Sequence, residues 1–227
     1  MQPKQEVIDM GVNSDFNVGL VIKLQDLPWV EDSALPVRQK ILEKDGGNGD
    51  SYTAIVRYAP GVRIPSHSHL RGEEIFVMEG VLSDEQGHYP AGHYLKFPPG
   101  SVHAPFSPEG CILFIKSNQL GGDDSTPVTV DTLNAPWSPG LVPGLSVMTL
   151  SSFETRNTAL VHWDPGTHFM PHRHYGGEEI LVLEGIFEDE HGRYPAGTWT
   201  RSPHLSQHRP FTQEGCTILV KTGHLLK

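Results

Sequence analysis

The chain has 227 residues, a formal net charge of −10, two cysteines, and glycine and proline at 24 and 19 positions. An acidic balance with no Lys/Arg cluster excludes a nucleic-acid surface, because neutralising phosphates requires clustered cations. No window approaches the ~20 apolar residues of a membrane span, and the opening MQPKQEVIDMGVNSDF lacks the apolar centre of a signal peptide, so a soluble cytoplasmic protein is expected.

Gly and Pro are spread without low-complexity runs, which suits many short strands joined by tight turns and leaves no room for long helices. Residues 1–50 read as a preface to the first domain. Within them, Phe16 to Ile22 is an edge-strand candidate, and Gly46-Gly47-Asn48-Gly49-Asp50 reads as a turn between strands. Ser51 to Tyr58 alternates as a half-buried strand, with Ala54, Val56 and Tyr58 on one face. Pro60-Gly61 ends it and opens the central stretch, GVRIPSHSHLRGEEIFVMEG. There His67 and His69, two apart in a strand, present both imidazoles on one face, and Glu73 opens the apolar run that follows. Turns follow at Asp84 to Gly87 and at Pro90-Ala91-Gly92. Pro98-Pro99-Gly100-Ser101-Val102-His103 then places a third imidazole after a Pro-Gly turn. Two same-face imidazoles, a carboxylate and a further imidazole can converge on one divalent cation. Cys111 opens a last apolar strand and reads as a buried thiol without chemistry. Gln119 to Pro127, QLGGDDSTP, reads as a linker.

The constellation then recurs as His172, His174, Glu178 and His208 at a constant offset, 172 minus 67 and 208 minus 103 both being 105. Residues 51–116 match 156–221 at about 30 of roughly 66 positions without a gap, which marks internal duplication. Shared positions include Gly80/Gly185, Asp84/Asp189, Tyr89/Tyr194 and Cys111/Cys216. Asp26-Leu27-Pro28-Trp29 echoes Leu133-Asn134-Ala135-Pro136-Trp137 and extends the repeat upstream. Two domains follow, 1–120 with its N-terminal extension and 121–227.

Short strands at this spacing, with no helix between them, point to an antiparallel sandwich or small barrel. Each copy also resembles the cupin superfamily, the double-stranded β-helix or jelly-roll barrel. Its first motif, G-x5-H-x-H-x3-E-x6-G, is met by Gly61, His67, His69, Glu73 and Gly80, and again by Gly166, His172, His174, Glu178 and Gly185. The second motif is met by Gly92, Pro98, Gly100 and His103. In the second copy Gly197, Pro203 and His208 fit, but Leu205 stands where the turn glycine belongs. Leucine enters positive φ only at a cost, so a different hairpin shape is expected there. The resemblance implies an all-β chain of two tandem barrels and metal ligation by His67, His69, Glu73 and His103 and by His172, His174, Glu178 and His208.

Within that superfamily the phrases GEEIFVMEGVLSDEQGHYPAG and GGEEILVLEGIFEDEHGRYPAG, each closing with Gly-Cys and a strand ending in Lys, resemble the cupin domain of ChrR. ChrR is a zinc-binding anti-sigma factor that takes part in the response to singlet oxygen. The likeness implies zinc, with iron, manganese and nickel open, and a regulatory protein that binds a small-molecule ligand or acts with a sigma factor. The helical sigma-binding domain with its His-x3-Cys-x2-Cys motif has no counterpart, since no cysteine precedes Cys111. The second class implied by the superfamily is enzymatic, a metal-dependent dioxygenase acting on a small diketone or hydroxyaryl ketone. No general acid or base stands out beside the ligands, and no arginine is placed to clamp a carboxylate in both copies, so catalytic residues are not assigned. A homodimer is left open.

The remaining histidines, His88, His93, His162, His168, His191, His204 and His224, are expected to take no part in metal binding; His93 and His204, nearest the second motif, are the first exceptions. Glu74 and Glu179 follow the ligand carboxylates directly, so pleat alternation turns them away from the cluster, toward supporting or surface ion-pair roles. Trp29, Trp137, Tyr58 and Trp163 are expected in cores or interfaces, a minority of them lining a pocket.

Overall fold

The computed structural model describes residues 11–46 and 51–226. All but the first residue of the turn expected at 46–50 lies outside the described residues, as does the start of the N-terminal stretch. Apart from one 3-10 turn at Leu24–Asp26, every regular element among the described residues is a β-strand.

The backbone forms two compact units: residues 11–14 with Trp29–Thr129, and Asp15–Pro28 with Val130–Lys227. In the first, the main sheet runs Val128–Asp131, His93–Phe97, Glu73–Ser83, Cys111–Ser117, Tyr52–Tyr58, Val37–Lys44, Val30–Glu31. In the second it runs Leu20–Lys23, Thr198–Ser202, Glu178–Asp189, Cys216–Thr222, Arg156–Trp163, Leu145–Phe153, Ser138–Pro139. The two orders correspond strand for strand. Shorter pairs, His67–His69 with Ser101–His103 and His172–Arg173 with Gln207–His208, oppose these sheets and complete a jelly-roll barrel in each unit. The edge strand anticipated within Phe16 to Ile22 forms at Leu20–Lys23. It pairs antiparallel with Thr198–Ser202, so a segment that precedes the first repeat in sequence folds with the second unit.

Each core fills with inward residues of the long strands, Ala54, Val77 and Leu113 in one unit and Ile180, Val182 and Phe187 in the other. Ser51 to Tyr58 is buried on both faces rather than one. Thr53 and Ile55, alternating with the core residues, are as covered as Ala54 and Val56. The reason is a buried polar layer behind the sheet. The Thr53 hydroxyl donates to Glu43 at 2.7 Å and accepts from Lys116 Nζ at 2.8 Å. The stretch Gln119 to Pro127 carries no strand but is anchored: Leu120 is buried, and Asp124 pairs with buried Lys96 at 2.6 Å.

The motif glycines Gly80 and Gly185 sit at φ +72° and +69°, where a Cβ would lie 2.1 and 2.0 Å from the carbonyl oxygens of Gly110 and Gly215. Only glycine allows the long strand to bend this close to its neighbour.

Leu205 overturns the expectation of a different hairpin. It takes the left-handed conformation itself, φ +63° against +81° for Gly100. Its amide donates to the His174 carbonyl at 2.9 Å, as the Gly100 amide does to His69 at 2.8 Å. The turn keeps its shape because this bond and the strand pairing behind it outweigh a strain of about 1 kcal/mol, and because the leucine side chain is half exposed. Leu205→Gly is therefore expected to raise unfolding stability by up to about 1 kcal/mol, the relieved strain being partly offset by backbone entropy. Urea denaturation checks this; a loss of stability would mean the leucine side chain contributes packing.

Candidate metal centres

Strand pairing assembles the first cluster. His67 lies directly opposite His103 and His69 opposite Ser101, so the hairpin presents three imidazoles on one face. Glu73 enters from the first residue of the long strand after a tight step in which the Gly72 amide bonds the His69 carbonyl. The Nε2 atoms of His69 and His103 are 2.9 Å apart, and Glu73 Oε2 is 3.5 and 3.8 Å from them. The second cluster repeats the plan: His172 opposes His208, the Nε2 atoms of His174 and His172 are 3.2 Å apart, and Glu178 Oε1 is 3.4 and 3.6 Å from those of His174 and His208.

One donor atom from each of His172, His174, Glu178 and His208 lies within 4.8 Å of all the others, as do donors from His67, His69 and His103. All eight residues thus come together in two sets, Glu73 standing slightly off its three imidazoles. Donors about 2.1 Å from a common ion are about 3.0 Å apart at right angles and about 3.4 Å apart at the tetrahedral angle. The observed spacings fall around these values, so both sets fit a divalent ion.

The wiring behind the rings fixes which nitrogen faces the cluster. Nδ1 of His67 and of His172 bonds the carbonyls of Pro65 and Met170 at 2.9 and 3.2 Å, and a carbonyl only accepts, so the lone pairs sit on Nε2. The Ser206 hydroxyl donates its one proton to the Pro203 carbonyl at 2.6 Å and so accepts from His174 Nδ1 at 2.9 Å. His208 Nδ1 donates to Asp189 Oδ2 at 3.3 Å. Asp84 stands in the same place behind His103 at 3.7 Å, both atoms being buried without a hydrogen bond.

The electrostatics follow from packing lone pairs into a dry space. Burial, then neighbouring imidazoles, pushes His69 and His174 down to about 3, and burial with His67 pushes His103 down to about 4 against the pull of Asp84 and Glu85. Burial likewise lowers His172. The Glu73 carboxyl is pushed up to about 8 by burial against a hydrogen bond from Ser117, and Glu178 up to about 7. Burial also opposes charge on His208, yet the Asp189 hydrogen bond and the charges of Glu178, Asp189 and Glu190 hold it above its ordinary value. Glu178 Oε1 is buried among the imidazoles with no hydrogen-bond partner. A divalent cation is the group that would satisfy these atoms together.

The barrels differ in the space beside the cluster. In the second unit a cavity of about 300 Å³ opens onto His172, Glu178 and His208, with walls that include Leu145, Val161, Trp163, Phe169 and Phe187. In the first unit the corresponding space is about 50 Å³, and Asp32, Gln39, Tyr52 and Tyr58 intrude on it.

Asp84 and Asp189 are functional residues that the sequence reading passed over. Each Oδ1 accepts from the tyrosine on the adjoining strand of its hairpin, Tyr89 or Tyr194, and from the turn amides, which leaves Oδ2 aimed at the histidine. Their identity in both repeats was the available signal. Glu74 and Glu179 do turn away from the clusters but are buried rather than at the surface. Glu74 accepts from the Tyr94 hydroxyl at 2.7 Å, and Glu179 pairs with His224 at 2.8 Å. None of the other seven histidines joins either set among the described residues. His93 bonds the Pro90 carbonyl, and His204 accepts from the Gly176 amide. Tyr58 and Trp163 line the two cavities, whereas the Trp29 ring meets the cations of Lys40 and Arg57, and Trp137 is partly exposed. Cys111 and Cys216 are buried free thiols, raised by burial to about 11 and about 12.

The family described as "ChrR Cupin-like domain" matches the chain twice, over residues 17–121 and 125–226. No curated protein sequence matches it. Among solved structures, "a putative dioxygenase" from Nostoc punctiforme superposes with a TM-score of 0.78 at 16% identity, covering 93% of this chain and 85% of that one. The oxalate decarboxylase of Lactobacillus farciminis superposes at 0.63 with 14% identity, over 90% and 86% of the chains. A cupin 2 conserved barrel domain protein from Leptotrichia buccalis does so at 0.61 with 12% identity, over 89% and 95%. At such identities these likenesses establish the fold.

Two outcomes follow from the clusters. In metal-free protein Glu73→Gln removes a carboxyl whose proton the native state holds to about pH 8, while the unfolded chain releases it near the ordinary 4.5. That proton's contribution is complete below pH 4.5 and lost as pH rises through 8. Metal-free Glu73→Gln should therefore gain on the parent across that window, while its metal affinity falls at least about tenfold. Denaturation at several pH values and competition with a chelator read the two effects. Asp84→Asn keeps the shape but weakens the acceptor behind His103, and a loss of about 10- to 100-fold in metal affinity is expected by the same competition.

Proposed function

Because the chain belongs to the ChrR cupin-like domain family, we propose that it is a bicupin holding one divalent ion in each barrel and binding a small organic molecule beside the second. The first ion would be held by His67, His69, Glu73 and His103, the second by His172, His174, Glu178 and His208. One observation carries this reading: the cavity of about 300 Å³ opens directly onto three of the four donors of the second cluster. Ions that only brace a fold sit in closed shells, whereas a working site keeps a coordination position open to an incoming ligand.

A bound ion would supply Lewis acidity and, for iron, redox chemistry. The chain's own residues do the rest. The carbonyls of Pro65 and Met170, the Ser206 hydroxyl and the Asp189 carboxylate hold the imidazoles of His67, His172, His174 and His208 with Nε2 inward, and the Asp84 carboxylate stands 3.7 Å behind His103. Apolar walls exclude water and seat the substrate's carbon skeleton. This favours a dioxygenase of a small diketone or hydroxyaryl ketone over a purely regulatory role. Zinc, with a sensing function like that of ChrR, is the second reading, and the family description supports it.

Metal analysis of protein from cells grown in balanced metals tests the ligand sets. Two ions per chain are expected, falling to about one in each of His67→Ala and His172→Ala. For the enzymatic reading, iron-loaded protein should consume oxygen with a member of a diketone and hydroxyaryl ketone panel, and His172→Ala should abolish it. Two ions per chain with no uptake across the panel would favour the regulatory reading.

A further inference from the structure

Register makes the walls of the two barrels comparable residue by residue. Val37 faces Tyr58 across its strand pair as Leu145 faces Trp163, and Gln39 faces Val56 as Val147 faces Val161. The Asp32 amide bonds the Val37 carbonyl as the Gly140 amide bonds that of Leu145. Asp32, Gln39 and Tyr58 in the first barrel thus occupy the places of Gly140, Val147 and Trp163 in the second. In the first, the Gln39 amide donates to the Asp32 carboxylate at 2.9 Å and the remaining space is about 50 Å³, room for one or two waters. In the second, the glycine and valine can make no such bridge. The cavity of about 300 Å³ has room for about ten water-sized groups.

The polar side chains on the wall of that larger cavity are His172, Glu178 and His208 of the cluster, and Trp163. Among the described residues no lysine or arginine lines it. Trp163 is buried and adds its ring to that apolar wall. A second charged group on a ligand would find no partner on these walls.

We propose that the second barrel alone takes the ligand, and that this ligand has an apolar body and a single oxygen-bearing head that meets the metal cluster. The first barrel's bridge of Asp32 and Gln39 closes it to anything larger than water. This rests on the metal-binding reading above and adds to it which barrel works and what chemistry its walls select.

The test uses the full chain loaded with zinc, which is redox-inert, its metal content measured in the same sample. Cyclohexanecarboxylate and succinate share a carboxylate head, so the ion's contribution cancels and the difference reports the walls. Calorimetry should find cyclohexanecarboxylate bound at least tenfold more tightly, at one equivalent per chain carrying two ions. Val147→Gln, which installs the first barrel's polar residue, should erase most of that preference. Equal or tighter binding of succinate, binding of neither probe to metal-loaded protein, or two equivalents per chain would overturn the inference while leaving the metal sites standing. A protein that takes up no metal would bring down both.

Discussion

The chain is organised by the cost of collecting lone pairs. Each barrel brings three imidazole nitrogens and a carboxylate within a few ångströms of one another in a largely buried space. Burial drives His69, His103, His172 and His174 toward neutrality and both glutamates toward protonation, while the surrounding carboxylates hold His208 above its ordinary value. Such a cluster lowers the stability of the fold that holds it, and it survives because the strands around it are fixed by other forces: long antiparallel pairings and apolar cores of Ala54, Val77 and Leu113 or of Ile180, Val182 and Phe187. The stability surrendered at the cluster is what a divalent ion returns on binding.

That division of work explains how the two copies keep one site plan while their walls diverge. Ligand positions depend on hairpin register, and a slip of one residue would turn every histidine to the opposite face. Wall residues answer only to volume and polarity. A glutamine in one copy and a valine in the other serve the same strand equally well, yet they leave a plugged space in one barrel and an open one in the other. The Leu205 turn shows how firmly the plan is held, since the hairpin keeps its geometry even without the residue type that adopts it at no cost.

Much of this was legible in the residues. Period-two spacing put His67 and His69 on one face, the constant offset identified the second set, and turn residues bounded the strands. What period two does not report is whether the outer face of a sheet is itself covered. Alternation turns Glu74 and Glu179 from the clusters but leaves a supporting and a surface role equally open, and it makes Ser51 to Tyr58 half-buried for the same reason. Nor does alternation say which sheet an edge strand joins. Leu20–Lys23 reads as a strand from its own residues, but its partner, Thr198–Ser202, lies far along the chain and supplies no local pattern. Asp84 and Asp189 were visible as repeat identities but look like turn residues. Their second oxygen acquires meaning only when the hairpin carries it behind a histidine.

The covered outer faces carry a constraint of their own. Across the first sheet Glu74 pairs in register with Lys96 on one side and Lys116 on the other; across the second, Glu179 pairs with Arg201 and Lys221. All six are buried, so each sheet carries an acid flanked by two cations where apolar residues would cost less to bury. The outermost cation anchors a segment without regular structure in both units. Lys96 grips Asp124, while Arg201 donates to the carbonyls of Asp15 and Val18 and lies over the Phe16 ring at 4.7 Å. A lysine suffices where a carboxylate offers a point charge, whereas Arg201 bonds two carbonyls through one terminal nitrogen and lays its planar face over a ring, which an ammonium cannot do. The glutamate following each ligand carboxylate therefore has work independent of the metal: it balances the cations that fasten irregular chain to the barrel, and this explains why the sequence repeats Glu-Glu and not merely the ligand.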